Sequence, residues 1–205
     1  MDAGCTPPSA VTWKDPDNNV AFHNKQIMMT HNATISIAAK WLDDANNEKL
    51  KPEERAQAKK NYEELIATGA FPAKPDGKPM QYRSAVKVGV IFANAKNKKR
   101  GKEFVQFAMQ DENLIPYVEG ALGRWYPVTK SGASRPFWTE DPHRKIVHEQ
   151  FSAGTVPFEF TKNWKFTILN NENVWAKAVN RVVVDKWTPE KAVDEMVARI
   201  KQVAG

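Results

Sequence analysis

Ala85-Val86-Lys87-Val88-Gly89-Val90-Ile91-Phe92-Ala93, followed by Ala95-Lys96-Asn97-Lys98-Lys99-Arg100-Gly101-Lys102-Glu103-Phe104, is the stretch whose reading decides the fold. Val86, Val88, Val90 and Phe92 recur at every second position. Ala85, Gly89 and Ile91 make the opposite face nearly as apolar, and Lys87 is the one charge. A strand with one wetted face alternates apolar and polar residues, whereas a strand inside an α/β layer is apolar on both faces. Residues 85–93 therefore read as a buried strand of an α/β fold. Residues 97–110 read as the helix that follows, with Phe104, Phe107 and Ala108 as its core stripe.

Working outward, residues 1–24 are rich in Pro, Asp and Asn and read as loop with at most a short helix over 18–23. Residues 25–30 form a short apolar run that fits a second buried strand. Residues 32–42 open a helix, capped by Asn32 or Thr34, with Ile35, Ala38, Ala39 and Leu42 on one face. Residues 52–68 form a clearer helix. Pro52 stands at its start, Glu53 and Glu54 complement the positive end of the dipole, and Gly69 terminates it. Its expected buried contacts are Ala56, Tyr62, Leu65 and Ile66. Residues 71–79 carry three Pro and a Gly and read as surface loop.

Toward the C-terminus, residues 112–119 read as a short helix and 120–128 as a Gly-containing loop. Residues 142–151 read as a helix behind Asp141. Residues 152–170 are irregular, with Phe158, Phe160 and Trp164. A helix over 172–185 aligns Val174, Ala178 and Val182. The last helix, 188–203, has Thr188 at its N-cap, Pro189 at its first position, and Val193, Met196, Val197 and Ile200 as its stripe.

Composition sets the bounds. A length of 205 residues holds one domain or parts of two, and 41% apolar residues suffice for a core. A mean hydropathy of −0.59 and the lack of a long apolar run exclude a transmembrane helix. One cysteine, Cys5, excludes an internal disulfide. The net charge of +6 raises the question of a polyanionic partner, but the basic residues form no single block. The densest run, 96–102, opens a helix, where a charge run is ordinarily a solvated face. Seven Trp are the unusual feature. Trp suits cores, and it equally suits stacking on the apolar faces of sugar rings.

Catalytic signals are thin. His23, His31, His143 and His148 show no metal-ligand spacing, and His143 and His148, five apart on a helix, fall on different faces. There is no Gly-rich phosphate loop, no Gly-x-Ser-x-Gly and no His-Glu-x-x-His. No cofactor is expected, and the chain reads as a non-enzyme.

Four segments in order carry a resemblance: Ala21-Phe22 with 27–32; Gly89-Val90-Ile91-Phe92, then Ala95-Lys96-Asn97 and Lys102-Glu103-Phe104-Val105; Gly123-Arg124-Trp125-Tyr126-Pro127-Val128; and Ala192-Val193-Asp194-Glu195 with Arg199-Ile200. Together they resemble the C-terminal part of a bacterial extracellular solute-binding protein of the carbohydrate type, including the maltose-binding type. The resemblance implies a periplasmic-binding-protein-like α/β fold, here incomplete, helix-rich and poor in strands. It implies residues 1–83 as part of a second lobe, 84–119 as a strand–helix segment of the first lobe, and 120–205 as the C-terminal helical part of the second lobe.

It also implies a periplasmic receptor that hands a solute to the membrane permease of an ABC importer, by closure of two lobes about a hinge. The chain begins Met1-Asp2-Ala3-Gly4-Cys5-Thr6-Pro7-Pro8, which has neither the basic nor the apolar region of a secretory signal. The expectation is therefore a truncated fragment. Such a fragment binds sugar weakly or not at all alone, and is open to homodimerisation by strand exchange.

The expected ligand-binding residues are Asn32, Thr34, Arg124, Trp125 and Trp175. An aromatic beside a forked donor suits a polyol: the Trp125 ring covers the C–H face while the Arg124 guanidinium reaches hydroxyls or a carboxylate. The competing reading is a packed loop Trp with a surface Arg. Asn32 and Thr34 follow an expected strand, where α/β folds place ligands, or else they cap the helix. His31 in the same turn reads as a structural hydrogen bonder. Trp175 near its helix start is either a ligand contact or part of the helix stripe. Trp13 and Trp41 read as packing, while Trp138 and Trp164 are not placed. The alternative function is a basic helical module that binds nucleic acid or another polyanion. An enzyme of unassigned type ranks below both.

Overall fold

The computed structural model describes residues 4–32, 34–158 and 162–205. Met1, Asp2, Ala3 and the aromatic Phe160 named above lie outside the described residues. Helices dominate. They divide between two compact units, one made of Met1–Thr30 with Phe158–Gly205 and the other of His31–Pro157.

α1 is Asp17–His23, and the unit His31–Pro157 opens with α2, Ser36–Ala45. Ile35, Ala38 and Ala39 of the expected stripe are buried, and Leu42 packs against the same core. α3, Pro52–Lys60, starts as its residues require. Pro52 needs no N–H at the first position, and Glu54 accepts from the Lys51 backbone N–H at 2.9 Å. α3 does not run to residue 68. It widens into one π turn over Asn61–Leu65, after which Ile66 is extended. The turn carries Tyr62 into the core. Ala58, rather than Ala56, is buried, and Leu65 faces out.

α4 is Lys98–Ala108, α5 Asp111–Glu119, α6 Lys130–Ala133, α7 Pro136–Thr139 and α8 Pro142–Ser152. Asn97 caps α4 by accepting from the Arg100 N–H at 3.1 Å, and Asp141 caps α8 by accepting from His143 and Arg144 N–H groups at 3.1 and 2.8 Å. Ile35, Ala38, Tyr62 and Val147 form the core of this unit, with Trp41, Leu42, Ile66, Tyr126 and Phe151 packed around it. Full burial of one such Ile contributes about 1.5–3 kcal/mol. Trp138, which the sequence did not place, is the largest fully buried side chain among the described residues; its ring meets Tyr126 at 5.0 Å and Phe137 at 5.1 Å.

Strands are scarce. β1, Tyr82–Ser84, pairs parallel with β2, Thr155–Pro157, in the register Tyr82–Thr155, Arg83–Val156 and Ser84–Pro157. The two expected buried strands do not form. In residues 25–30, Lys25 has φ 58°, and the N–H groups of Lys25 and Gln26 bond back to Phe22 and Ala21 as the exit of α1. A left-handed residue cannot continue a strand. Met28 and Met29 are left 98% and 87% exposed.

Residues 85–93 run without regular structure, with Val88 and Phe92 both 76% exposed. A strand needs a neighbour for its backbone groups, and among the described residues none lies beside this segment. The Phe104–Phe107 stripe is likewise 69% and 56% exposed. α4 instead receives Ile91, whose side chain would stand 3.4 Å from a Cβ placed on Gly101.

The other unit holds a 3-10 turn, Pro8–Thr12, with α1, then α9, Phe166–Asn171, α10, Val174–Val183, and α11, Pro189–Ala204. Asn173 at φ 49° reverses the chain between α9 and α10. The Asn180 amide donates to the Val11 carbonyl at 3.2 Å and fastens the 3-10 turn to α10. α11 is capped as expected, Thr188 accepting from the Lys191 N–H at 3.3 Å. Its inward face is Ala192, Met196 and Ile200, whereas Val193 and Val197 turn outward.

Between α10 and α11, Arg181 grips Glu195 at 3.0 and 3.1 Å and Asp185 at 2.8 Å, and Arg199 grips Glu172 with both arms. These hydrogen bonds hold the Glu172 and Glu195 carboxyls below their usual range. No described helix is long and apolar enough to cross a membrane.

Candidate functional site

The loop between α5 and α6 is shaped by two consecutive left-handed residues, Leu122 at φ 56° and Gly123 at φ 92°. The bend presses the Gly123 backbone onto the start of α2. A Cβ on Gly123 would lie 2.5 Å from Ile35 Cδ1 and 3.1 Å from Arg144 Cγ, so only Gly fits. This close approach brings the loop that carries Arg124 and Trp125 against the segment that carries Thr34.

Arg124 donates through Nη2 to the Asp43 carboxylate of α2 and through Nη1 to the Ala121 carbonyl at 3.4 Å. Trp125 is 39% exposed and lies 5.2 Å from the Tyr117 ring of α5, with the planes inclined at 52°. Tyr117 is itself mostly exposed. The two rings form an aromatic corner open to solvent.

Asn32 and Thr34 are half-buried. The Asn32 amide donates to the Ser36 hydroxyl at 2.9 Å, and Ile35, with no side-chain capping bond, holds the N-cap position. His31 meets Phe71 edge-on at 4.5 Å. Trp175 belongs to the other unit. It is half-buried on α10 with its ring 5.9 Å from Phe166.

Sequence reasoning missed Asp43 and Tyr117. Asp43 looks like one more surface charge on α2. Tyr117 lies eight residues before Trp125, but nothing local says that α5 turns back toward it.

Behind the loop stands a buried polar network. The Tyr62 hydroxyl donates to Asp141 Oδ2 at 2.6 Å. His143 Nε2 sits 2.9 Å from the Tyr62 carbonyl, so it carries the proton, and Nδ1 lies 2.8 Å from the Thr68 hydroxyl. Burial first, then the Asp141 hydrogen bond and charge, push the Tyr62 phenol well above its ordinary range. The Tyr126 phenol is raised by burial as well, and its oxygen pairs with His148 Nδ1 at 2.9 Å. His143 and His148 thus serve different faces of α8, as their spacing implied.

Two concavities open elsewhere. One of about 300 Å³ lies between α10 and α11, walled by the Arg181–Glu195 and Arg199–Glu172 pairs. One of about 410 Å³ lies beside Trp41, Asp44 and Gln57. Neither is lined by the Arg124–Trp125 loop. The aromatic corner is therefore a single wall, which can cover one face of a flat apolar ring and offer polar groups at its edge. Among the described residues no group of three or more His, Cys, Asp or Glu is placed to hold a metal ion.

No curated protein matches this chain, and no solved structure does. The family of bacterial extracellular solute-binding proteins matches over residues 3–146, more than two thirds of the 205. The helix-rich framework is compatible with part of such a receptor, and by this match the chain belongs to the bacterial extracellular solute-binding proteins.

Proposed function

We propose that the solute is a neutral polyol, a carbohydrate, and that the aromatic corner of Trp125 and Tyr117 with Arg124, Asp43, Asn32 and Thr34 receives it. Family membership supports a solute-receptor role. The Arg124–Asp43 pair carries the choice of solute. Arg124 alone suits a carboxylate or a phosphate as well as a hydroxyl. With the Asp43 carboxylate already on it, the guanidinium charge is compensated, and the pair offers both donors and acceptors. That is the chemistry of hydroxyl groups, with the exposed rings covering the C–H face of the sugar.

In this reading the chain serves an ABC importer in the periplasm, and the lobes have the periplasmic-binding-protein-like α/β fold. Residues 84–119 belong to one lobe, and 1–83 with 120–205 to the other. In that assignment Tyr117 comes from the first lobe and Trp125 from the second, and closure would bring further groups of the first lobe onto the solute. One wall binds weakly, in the millimolar range, or about −4 kcal/mol. The exposed Lys96–Lys102 run has Arg100 paired with Glu103 at 2.9 Å, and the family match does not favour the polyanion alternative.

Tryptophan fluorescence and calorimetry of the full chain with glucose, maltose and gluconate test this. Weak saturable binding of the neutral sugars is expected, lost in Trp125→Ala with unchanged circular dichroism. Preference for gluconate overturns the polyol assignment. Titration of Trp125→Ala like the parent overturns the site. Micromolar affinity overturns the single wall.

A further inference from the structure

Arg124, Trp125 and Tyr126 are consecutive, and their side chains leave the loop in three directions. Arg124 reaches Asp43, and Trp125 faces Tyr117 at the surface. Tyr126 turns inward. Its ring stacks on Phe151 of α8, with centroids 4.6 Å apart and planes inclined at 19°, and meets the fully buried Trp138 edge-on at 5.0 Å. Its hydroxyl lies 2.9 Å from Nδ1 of His148, one helical turn before Phe151 on α8. The phenol, raised by burial, keeps its proton at neutral pH, so it donates and the ring nitrogen accepts. Pro127 behind it is buried and disfavours helical backbone at Tyr126. A directional hydrogen bond, two ring contacts and a restrained backbone hold Tyr126 in one orientation.

We infer that Tyr126 is a positioning residue of the solute site, and that its hydrogen bond to His148 sets the direction in which Trp125 leaves the loop. Tyr126 does not touch the solute, because its hydroxyl is bound inside and its ring packs on Phe151 and Trp138. It acts through its neighbour. A planar peptide unit leaves only two soft dihedrals per residue, so an orientation fixed at Tyr126 is passed to Trp125 within one residue. Gly123 fixes the loop from the other side by its contact with Ile35. Arg124 and Trp125 are thereby held between two attachments to one core, that of Ile35, Ala38, Tyr62 and Val147, against which Tyr126 and Phe151 pack. Without the inner attachment the chain beyond Gly123 is free to turn, and the Trp125 ring no longer stands at Tyr117. The inference rests on the solute site proposed above, but its first readout needs no solute.

The full chain labelled with 5-fluorotryptophan carries seven fluorine reporters, and Trp125→Phe identifies that of Trp125. Tyr117, 5.2 Å away, makes this resonance sensitive to the direction of the Trp125 ring. Trp187, in the other unit, is the internal reference. Tyr126→Phe keeps both ring contacts and removes only the hydroxyl. It should move or broaden the Trp125 resonance, and His148→Leu should do the same. His148→Asn, which keeps a side-chain acceptor near the place of Nδ1, should restore the parent position. Tyr126→Phe with His148→Leu should go no further than either alone, since both remove one bond. Maltose binding should weaken by about two- to tenfold in the same variants, the equivalent of one hydrogen bond, and recover in His148→Asn.

A Trp125 resonance that stays in place in Tyr126→Phe, or that moves equally in His148→Leu and His148→Asn, overturns the inference. Variants that lose stability while the Trp125 resonance and the maltose titration keep their parent values give Tyr126 a packing role only, and overturn it as well. A parent that binds no maltose overturns the sugar reading alone, and the Trp125 resonance still decides the positioning.

Discussion

Gly123 and Ile35 are in direct contact, and a Cβ on Gly123 would stand 2.5 Å from Ile35 Cδ1. Ile35 is a core residue at the N-cap of α2 and Gly123 a left-handed loop residue, so one contact joins the core to the loop that displays Arg124 and Trp125.

Gly123→Ala meets both obstacles at once: a φ that L residues avoid and a filled space. It is expected to lower stability by about 2–4 kcal/mol, read as a shift in the denaturation midpoint. Ile35→Val should recover part of that loss in the double variant by giving room. No recovery would mean that the strain at φ 92°, and not the contact, dominates.

Arg124→Ala separates stability from binding. Its partner Asp43 and Arg124 itself are both partly exposed, and exposed ion pairs contribute about 0–1 kcal/mol. The melting temperature should hardly move, while sugar binding falls. A large loss of stability would assign Arg124 a structural task.

Tyr62→Phe removes the 2.6 Å hydrogen bond to Asp141 and is expected to cost about 1.5–3 kcal/mol, the range for hydrogen bonds to charged groups. The pH dependence has a definite sign. The folded-state value of the Tyr62 phenol lies above its unfolded value of about 10. Below that value the neutral phenol is bound in both states and its contribution is complete. As pH rises past it, the unfolded chain loses the proton first and stability declines. Urea melts at rising alkaline pH should show a shallower decline for Tyr62→Phe than for the parent. Some decline remains, because Tyr126 is raised in the same direction.

The α10–α11 pair carries the opposite sign. Arg199 and Arg181 hold the Glu172 and Glu195 carboxyls below their unfolded range. Their contribution is present above that range and disappears as pH falls through the folded-state values. Acid titration of helicity should show the parent losing stability earlier than Glu172→Gln with Glu195→Gln loses its own, already smaller, stability. Added salt should flatten the difference, since these pairs are solvent-exposed.

Local chemistry was legible in the sequence. Pro52, Asp141, Thr188 and Pro189 act within one helical turn of themselves, so α3, α8 and α11 start where those residues place them. The apolar spacing of Ile35, Ala38 and Ala39 needs only the helical period. Arg124 beside Trp125 was legible as a candidate because an aromatic next to a fork of donors is a local pattern.

Tertiary structure decided what depends on residues far along the chain. Whether 85–93 is a strand rests on a neighbour, because backbone groups pair across a sheet and not within a strand. Alternation alone could not show that no strand pairs with it among the described residues. Ala58, rather than Ala56, lies in the core because it stands one helical turn before Tyr62, and Tyr62 is drawn inward by Asp141, 79 residues away. Asp43 reaches Arg124 across 81 residues, and Tyr117 reaches Trp125 only because α5 turns back through Leu122 and Gly123. The sequence by itself determined several helices and their caps. The packing of Gly123 on Ile35 decided which candidate residues stand together, because only a folded chain can bring a loop residue within contact of a core residue 88 positions away.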